Sequence, residues 1–317
     1  MIPTQFDYKR ANSIDEAIAL LAETGGDGKF LAGGHSIVPL MKLRMSEPGV
    51  LIDIARIPGL SGIREDKGKI EIGATTTHHD VATSALLQRS APVVSEAAAE
   101  IGDPQVRHRG TLGGSLAHSD PSADMPAVMV ALDAEIHLKG QGGWRSVKAE
   151  NFFQDLFTVD MAEDELIAGV QFAPITKAAY AKLHQRASHY AIVGVCAALQ
   201  VDGNVCQSAR VAVTGASTHA QRLTEVEQAL AGKPLTQANI DAAASVAGDA
   251  LQDVSSDIHA SEAYRRAMVK VFTGGPSNVP PHGKPVGATT LAPACRCSRQ
   301  SDRSRSGACE KRPESLK

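Results

Sequence analysis

The residues best suited to binding a ligand lie between Gly102 and Asp124, which read GDPQVRHRGTLGGSLAHSDPSAD. Glycines let a backbone turn through positive φ and approach a ligand closely, so that successive N–H groups can point at an anion. Thr111 and Ser115 add hydroxyl donors, and the carboxylate of Asp124 can accept hydrogen bonds from sugar hydroxyls. The stretch therefore predicts a diphosphate cradle followed by a ribose or ribityl contact. The plainer interpretation is a glycine-rich loop between a helix and a strand.

Another glycine turn, the first in chain order, lies upstream in the sequence KFLAGGHSIVPLMKLR from Lys29 to Arg44. A short apolar strand runs directly into Gly33–Ser36, and apolar residues at helical spacing follow. Such an arrangement aims N–H groups and the positive end of a helix at a phosphate. The turn is neither a Walker A loop nor the dinucleotide fingerprint G-x-G-x-x-G. Two separate glycine turns with hydroxyl residues predict a two-sided grip on one diphosphate.

The other polar residues form no general-base pair, nucleophile triad or metal constellation in the body of the chain. Adjacent side chains on a helix point about 100° apart, so capping or surface roles are expected for His78, His79 and Asp80 rather than a metal site. The basic run 107–109 is expected to be a solvated turn, or else to add positive potential near the diphosphate. No residue is assigned a catalytic role, and we expect a cofactor to supply the chemistry.

The motifs AGGHS at Ala32–Ser36, TLGGS at Thr111–Ser115 and DPSAD at Asp120–Asp124 resemble the FAD-binding medium subunit of molybdenum hydroxylases. That family includes aerobic carbon monoxide dehydrogenase, xanthine dehydrogenase and nicotine dehydrogenase. The resemblance covers about residues 1–272, and AGGHS followed by PLMKLR is most similar to the carbon monoxide dehydrogenase branch. It implies an α+β fold: a two-lobed FAD-binding domain of the vanillyl-alcohol-oxidase (PCMH) type, then a C-terminal antiparallel sheet with helices. FAD would be bound noncovalently, with its diphosphate between the two turns.

The resemblance also implies individual FAD contacts. Tyr190 matches a tyrosine close to the isoalloxazine ring, with an ordinary strand tyrosine as the alternative. Lys182 matches a basic residue whose charge would stabilise the anionic reduced ring. His189 stands where relatives often carry Asp, which leaves its role open. The implied contacts are Lys29, Leu31, Ala32, Gly33, Gly34, His35, Ser36, Gly73, Thr111, Gly113, Gly114, Ser115, Ala117, Asp120, Ala123, Asp124, Leu166, Ile167, Lys182 and Tyr190.

Partner chains are implied in the same way. A large subunit would hold molybdopterin, a small subunit would hold iron–sulfur clusters, and the assembly would be a dimer of heterotrimers. The flavin would take electrons from the clusters and pass them to a quinone, or to NAD as in the xanthine branch. Membrane association, if any, would be peripheral and through the partners. The alternatives are the medium subunit of a xanthine, nicotine, aromatic N-heterocycle or aldehyde dehydrogenase, or a flavin-free structural scaffold.

Composition excludes several other classes. With 43% hydrophobic and 21% charged residues, the 317-residue chain is ordinary for a globular protein of two or three lobes. No apolar run approaches the roughly 18 residues of a membrane span, and no signal peptide is recognisable. A cytoplasmic location is therefore expected. The five cysteines lack iron–sulfur spacing and predict neither a cluster in this chain nor a disulfide framework. The acidic body argues against a nucleic-acid binder.

Hydrophobic periodicity divides the chain into an N-terminal lobe at 1–55, a second lobe at 56–176 and a C-terminal lobe at 177–273. The resemblance implies that the first two are the FAD-binding lobes. A capping box of Ser13 and Glu16 predicts the first helix. Predicted strands are 30–32, 50–54, 70–74, 134–139, 144–148, 165–172, 180–185, 192–201 and 209–214. Predicted later helices are 79–87, 91–101, 125–132, 223–231, 237–250 and 261–272.

The tail, 274–317, has a different composition. It contains six prolines and no Phe, Trp or Tyr, and its eight Lys or Arg against three Asp or Glu give it a charge of +5. It cannot bury enough apolar surface to offset chain entropy, which predicts disorder. A zinc site from His282 and the three tail cysteines is an alternative without the usual ligand spacing. The family does not normally end this way, so a frame-shifted or cloning-derived extension is another interpretation.

Overall fold

A three-stranded parallel sheet forms the first lobe of the computed structural model, which describes residues 2–274. The predicted capping box is present: the Ser13 hydroxyl accepts from the Glu16 amide at 3.1 Å, and the Glu16 carboxylate accepts from the Asn12 amide at 2.7 Å. The first strand, β1 (Asp7–Arg10), was not predicted, because its residues are polar and mostly exposed. The elements, with strand order β1-β3-β2, are β1 (Asp7–Arg10), α1 (Ile14–Ala22), β2 (Gly28–Leu31), α2 (Ile37–Lys42) and β3 (Val50–Asp53).

The second lobe is built on a five-stranded antiparallel sheet in the order β4-β5-β10-β6-β7. Its strands are β4 (Ile63–Asp66), β5 (Lys69–Gly73), β6 (Glu135–Gly140), β7 (Gly143–Lys148) and β10 (Leu166–Phe172), with a separate ribbon of β8 (Phe153–Asp155) and β9 (Thr158–Val159). Its helices are α3 (His78–Thr83), α4 (Ala85–Ser90), α5 (Pro92–Ala99), α6 (Pro104–Arg107), α7 (Leu112–His118), α8 (Asp124–Ala131) and α9 (Ala149–Phe152).

Two local predictions in this lobe were wrong. The single helix predicted over 79–87 is two helices, because Ser84 adopts an extended backbone (φ −66°, ψ 115°) and its hydroxyl caps α4 by accepting from the Leu87 amide. The TLGGS motif is not a glycine-rich loop, because Leu112 to Ser115 form the start of helix α7. The name second glycine turn is kept below for the bend at Arg109–Thr111 together with this helix start. Thr111 is the N-cap of α7, with a hydroxyl that accepts from the Gly114 amide at 3.2 Å. In both places a hydroxyl side chain satisfies a helix-end N–H group, and so begins a helix where composition predicted otherwise.

All eight residues of helix α8 are buried. The helix packs on α5 and on three strands of the C-terminal sheet, in one core with residues of the five-stranded sheet such as Ile72 and Ile136. A helix covered on every side needs apolar residues all round, which explains why MPAVMVA shows no polar face. The helix therefore joins the second lobe to the C-terminal lobe.

The third lobe is a four-stranded antiparallel sheet in the order β11-β12-β13-β14, covered by helices. The predicted hairpin turn is confirmed: Asp202 pairs with Val205 across Gly203, whose φ is +57°. The elements are β11 (Ala178–His184), β12 (Ala191–Asp202), β13 (Val205–Thr214), β14 (Gln221–Arg222), α10 (Thr224–Leu230), α11 (Gln237–Ser245) and α12 (Glu262–Gly274).

The C-terminal end of the described chain is buried. Helix α12 continues through Gly274, one residue beyond the predicted lobe boundary. The expectations for the tail, including disorder and the zinc alternative, fall almost entirely on residues 275–317, outside the described residues. The division of the body at 55 and 176 stays a prediction.

A buried arginine ties α12 to the C-terminal sheet. Arg265 is 3% exposed, and its guanidinium donates to the carbonyls of Ile192 at 2.7 Å and Gly215 at 2.5 Å and to the Asp257 carboxylate at 2.7 Å. Both carbonyls lie beside strand ends that reach back to the DPSAD segment, where the Ala191 amide donates to Ser122. Arg265 thus supports the segment expected to contact the cofactor.

We expect Arg265→Met to lower the free energy of unfolding by about 3 kcal/mol, because the carbonyls of Ile192 and Gly215 lose their donor inside the protein and the partly exposed Asp257 carboxylate loses its ion pair. The matched control is Lys270→Ala on the same helix, whose ion pair with exposed Asp249 should contribute under about 1 kcal/mol. Urea denaturation of both variants checks this, and equal losses would contradict the structural role of Arg265.

Candidate functional site

A cavity of about 620 Å³ brings together both glycine turns, the start of β10 and the turn before β12. Its size is within the range of small-molecule sites. Most residues of the predicted set line it. These are Lys29, Ala32, Gly33, Gly34, His35, Ser36, Thr111, Gly113, Gly114, Ser115, Ala117, Asp120, Ala123, Asp124, Leu166, Ile167 and Tyr190.

Three predicted residues are not among those that line the cavity. Leu31 lies on the other side of the first turn, beside Val38 and Pro39. Gly73 packs on the chain behind the wall, where an added Cβ would lie 2.4 Å from the Leu60 carbonyl oxygen. Lys182 is buried in the core, with its side chain 2% exposed. The sequence motifs predicted the chain segments around the site better than they predicted which side chains reach it.

The first glycine turn connects β2 to α2. Gly34 has a φ of +77°, a conformation that side-chain-bearing residues rarely adopt. Ser36 is the N-cap of α2, but its hydroxyl makes no capping hydrogen bond. The exposed His35 lies next to it on the cavity lining. Ser36 can therefore offer its hydroxyl to a ligand.

The two glycine turns touch each other directly. An added Cβ on Gly33 would lie 2.0 Å from the carbonyl oxygen of Arg109 and 3.1 Å from the Cα of Gly110. Nothing larger than hydrogen fits between these backbones. The sequence analysis predicted two turns gripping one ligand, and the structure adds that they are in contact with each other.

Two of the three basic residues before the second turn, Arg107 and His108, have partners within the protein. Arg107 donates to the carbonyls of Ile101 at 2.8 Å and Gly102 at 3.1 Å, and so closes the turn that leads into α6. The His108 ring stacks on His79 with centroids 3.8 Å apart. Among residues 2–274, no group of three His, Cys, Asp or Glu side chains is arranged to hold a metal ion.

A third segment, Ala74–His78, forms the wall beside the second turn. Its backbone is joined to that turn by hydrogen bonds from Gly113 to Ala74 at 2.8 Å, from Leu112 to Thr76 at 3.0 Å and from His78 to Gly110 at 2.9 Å. In the sequence, these residues only connect the strand predicted at 70–74 to the helix predicted at 79–87. Their role in the site depends on pairing with residues more than 30 positions away, which periodicity within one segment does not reveal.

Two side chains of this segment are buried on the cavity lining with an unpartnered polar atom. Thr75 is 5% exposed and its Oγ1 has no hydrogen-bond partner, and His78 is 4% exposed and its Nδ1 has none. Burial lowers the pKa of His78 to about 4, and the charges of Arg107 and His35 add to the shift. The imidazole is therefore neutral near neutral pH.

Asp124 and Lys182 form a buried cluster rather than two separate contacts. The Asp124 carboxylate accepts from the Tyr180 hydroxyl and from Lys182 Nζ at 3.0 Å, and Lys182 also donates to the Glu100 carbonyl at 2.8 Å. Burial raises the pKa of Asp124, and the Lys182 charge opposes that shift. Both carboxylate oxygens are engaged inside the protein. The predicted free acceptor for sugar hydroxyls and the predicted cation beside the ring are thus already paired with each other.

The C-terminal lobe fixes the DPSAD segment from behind. Gly215 donates its amide to the Pro121 carbonyl at 2.7 Å, and the Thr214 hydroxyl donates to the Ala123 carbonyl at 2.7 Å. Within the segment, Asp120 accepts from the Ser122 amide at 2.8 Å. These bonds set the backbone on which Asp120 and Ala123 line the cavity.

Tyr190 lies at the rim of the cavity. It is 48% exposed and follows His189, whose φ of +61° ends a tight turn that begins at Gln185. The ring of His189 lies 5.2 Å from that of His184. This position would let Tyr190 cover one face of a flat ring in the cavity, and that role stays a prediction.

The lining fits FAD on its own chemistry. Adjacent glycine backbones, the free Ser36 hydroxyl and the unpartnered atoms of Thr75 and His78 offer polar contacts for a dinucleotide. Aliphatic residues such as Leu166 and Ile167 offer apolar surface. The lining residues that sequence reasoning did not assign to the site include Thr75, His78, Ile101, His118 and Met161. Among these residues only Thr75 and His78 stand out in the sequence, because three consecutive threonines precede the histidine. The surface role expected as one alternative for His78 is wrong, because its side chain is buried.

Comparison with known proteins gives matches over nearly all of the described chain. A family model described as "FAD binding domain in molybdopterin dehydrogenase" matches residues 4–174, and one described as "CO dehydrogenase flavoprotein C-terminal domain" matches residues 178–274. The carbon monoxide dehydrogenase medium chain of Hydrogenophaga pseudoflava is 40% identical over 271 residues, which are 84% of this chain and 94% of that one.

Two further relatives support the match. The 6-hydroxypseudooxynicotine dehydrogenase complex subunit alpha of Paenarthrobacter nicotinovorans is 39% identical over 86% of this chain and 93% of its own. A solved carbon monoxide dehydrogenase from Hydrogenophaga pseudoflava, which lacks the Mo-pyranopterin moiety of its cofactor, superposes with a TM-score of 0.82 and 38% identity, covering 85% of this chain and 95% of that one. In the part of the chain that is described, no helix is long and apolar enough to cross a bilayer.

His78 predicts how acid affects the ligand-free chain. Its pKa lies near 4 when folded and at the ordinary 6.5 when unfolded, so between these values the unfolded chain binds more protons and stability falls as pH falls. Between pH 7 and pH 5 the wild type should lose about 2 kcal/mol more than His78→Leu. The other titrating groups are common to both proteins and cancel. Urea denaturation at the two pH values tests this; identical losses would rule out a buried neutral His78.

Proposed function

The chain belongs to the family of FAD-binding medium subunits of molybdenum hydroxylases, and from this premise we propose that it relays electrons within a complex of the carbon monoxide dehydrogenase type. In this proposal electrons arrive from iron–sulfur clusters on a partner chain and leave to an external acceptor. The observation that carries the proposal is the single cavity wall formed by both glycine turns, Ala32–Ser36 and Thr111–Ser115.

The chain's own residues would bind and orient the cofactor. Bound FAD supplies the redox chemistry. The glycine turns would hold the diphosphate, Leu166 and Ile167 would contact the apolar parts, and Tyr190 would shield one face of the ring from water. The Asp124–Lys182 pair, with Asp124 on the cavity wall and Lys182 behind it, would set the electrostatic environment, because a buried ion pair acts through a low dielectric.

The assembly and acceptor are proposed on narrower grounds. Named relatives are a medium chain and a complex subunit, which supports a multi-subunit assembly for this chain. We propose a dimer of heterotrimers with a large molybdopterin subunit and a small iron–sulfur subunit, in the cytoplasm, passing electrons to a quinone. NAD as acceptor is the alternative.

A second candidate concerns the substrate of the complex. The 6-hydroxypseudooxynicotine dehydrogenase subunit is nearly as similar, at 39% identity, as the carbon monoxide dehydrogenase medium chain. Oxidation of an aromatic N-heterocycle by the partner subunit is therefore the alternative to carbon monoxide. The distinction lies in the partner, and the genes that flank this one would identify it.

We expect the full chain, purified after expression, to be yellow and to carry one noncovalent FAD, which heat or acid denaturation should release into the supernatant. Co-expressed with the neighbouring large and small subunits, it should co-purify with both. The flavin absorbance band and size-exclusion chromatography are the measurements. A colourless chain that takes up no added FAD would favour the scaffold alternative, and a monomer that oxidises substrate alone would contradict the subunit role.

The contact between the glycine turns gives a sharper test. Gly33→Ala places a methyl group against the Arg109 carbonyl, so the turns must separate and FAD affinity should fall at least about tenfold. Gly142→Ala is the matched control, because a Cβ there meets nothing within 4 Å. Fluorescence titration with FAD measures both, with circular dichroism to verify folding. Unchanged FAD affinity in the folded Gly33 variant would refute the two-sided grip.

A further inference from the structure

We propose that Thr75 and His78 form a third cofactor-contacting element, in which Thr75 Oγ1 and His78 Nδ1 hydrogen-bond to polar atoms of the bound dinucleotide beside the glycine turns. The inference rests on the proposed FAD function and extends it to a segment outside both glycine motifs. It assigns each side chain a role that the fold alone does not explain.

The segment Ala74–His78 lies along the second glycine turn. Three backbone hydrogen bonds and a bridge between Thr77 and Thr111 hold it there. An added Cβ on Gly110 would lie 2.9 Å from the His78 ring, and the same glycine touches the first turn through Gly33. His78 therefore lies at the junction of the two turns, where the proposed function places the diphosphate.

Thr75 and His78 each have a buried polar atom without a hydrogen-bond partner. Among residues 2–274, five buried side-chain nitrogen or oxygen atoms lack a hydrogen bond, and those of Thr75 and His78 are the two whose residues line the cavity. Buried polar groups in folded proteins nearly always have partners. Two such unpartnered atoms on one cavity wall, Thr75 Oγ1 and His78 Nδ1, indicate that a bound ligand supplies their hydrogen-bond partners.

The neighbouring threonines show what a structural role looks like. The Thr76 hydroxyl accepts from the Gly62 amide at 2.9 Å and donates to the Gly62 carbonyl at 3.2 Å. Thr77 caps α3, with a hydroxyl that accepts from the Asp80 amide at 3.1 Å. Of the three consecutive threonines, only Thr75 has no such bond.

The chemistry of the two groups suits a phosphate or a sugar edge. A hydroxyl can donate to a phosphate oxygen or accept from a sugar hydroxyl. A neutral imidazole can donate from one ring nitrogen and accept at the other, and burial keeps His78 neutral near pH 7. The Thr75 hydroxyl and the His78 imidazole can therefore both make these hydrogen bonds as neutral groups.

Thr75→Val and Thr76→Val, made in the full chain, form a matched pair of tests. Thr75→Val removes an unpartnered hydroxyl, so the melting temperature without FAD should stay equal or rise, while FAD binding becomes about tenfold weaker. Thr76→Val removes two hydrogen bonds of the protein, so its melting temperature without FAD should fall. Thr75→Ser keeps the hydroxyl and should restore most of the FAD affinity.

The histidine has its own pair. His78→Leu should weaken FAD binding about tenfold without lowering the melting temperature of the FAD-free chain at pH 7. His78→Asn carries an amide near the Nδ1 position and should recover part of the affinity. A merely structural histidine would lower the melting temperature in both variants and leave the FAD affinity unchanged.

The outcomes separate this inference from the proposed function. If the wild-type chain binds no FAD in the titration, the proposed function fails and this inference fails with it. If the wild type binds FAD and Thr75→Val or His78→Leu binds it equally well, that residue is not a contact and the proposed function stands. A fall in stability parallel to the fall in affinity, without rescue by Ser or Asn, also overturns the assignment.

Discussion

The architecture depends on one steric constraint: two backbones meet where only a glycine hydrogen fits. Gly33 lies against the Arg109 carbonyl, and Gly110 lies against the ring of His78. Because the first turn belongs to the parallel sheet and the second to the antiparallel lobe, this contact fixes the two lobes relative to each other. The cavity is formed by that meeting, so its polar groups come from segments far apart in the chain.

The C-terminal lobe completes the cavity wall although it contributes few residues to it. Helix α8 is buried between the second and third lobes, and its first residue, Asp124, is paired with Lys182 from the C-terminal sheet. Arg265 holds the strand ends that bind the DPSAD backbone. A buried pair such as Asp124–Lys182 contributes little to net stability. Removing one partner nevertheless lowers the stability strongly, because the other charge is left buried without a partner. The third lobe therefore acts on the site by positioning.

The division of labour between protein and cofactor follows from the side chains present. The described cavity wall offers glycine amides, hydroxyls, a neutral histidine and aliphatic surface. Such a wall binds and orients a dinucleotide, and the redox step belongs to the cofactor. This agrees with a subunit that relays electrons for a reaction carried out by a partner chain.

The sequence alone determined the α+β class, the family and most strands, because periodicity, the Asp202-Gly203 turn and the glycine motifs are local signals. It missed β1, whose polar residues adopt a strand because they pair with β3. It assigned Asp124 and Lys182 to the ligand, whereas tertiary packing pairs them with each other. It gave Thr75 no role in the site and expected a capping or surface role for His78, since an unpartnered buried atom exists only once the surrounding chain has folded around it. Local sequence sets which segments turn and bind; long-range pairing decides which side chains are left free to do so.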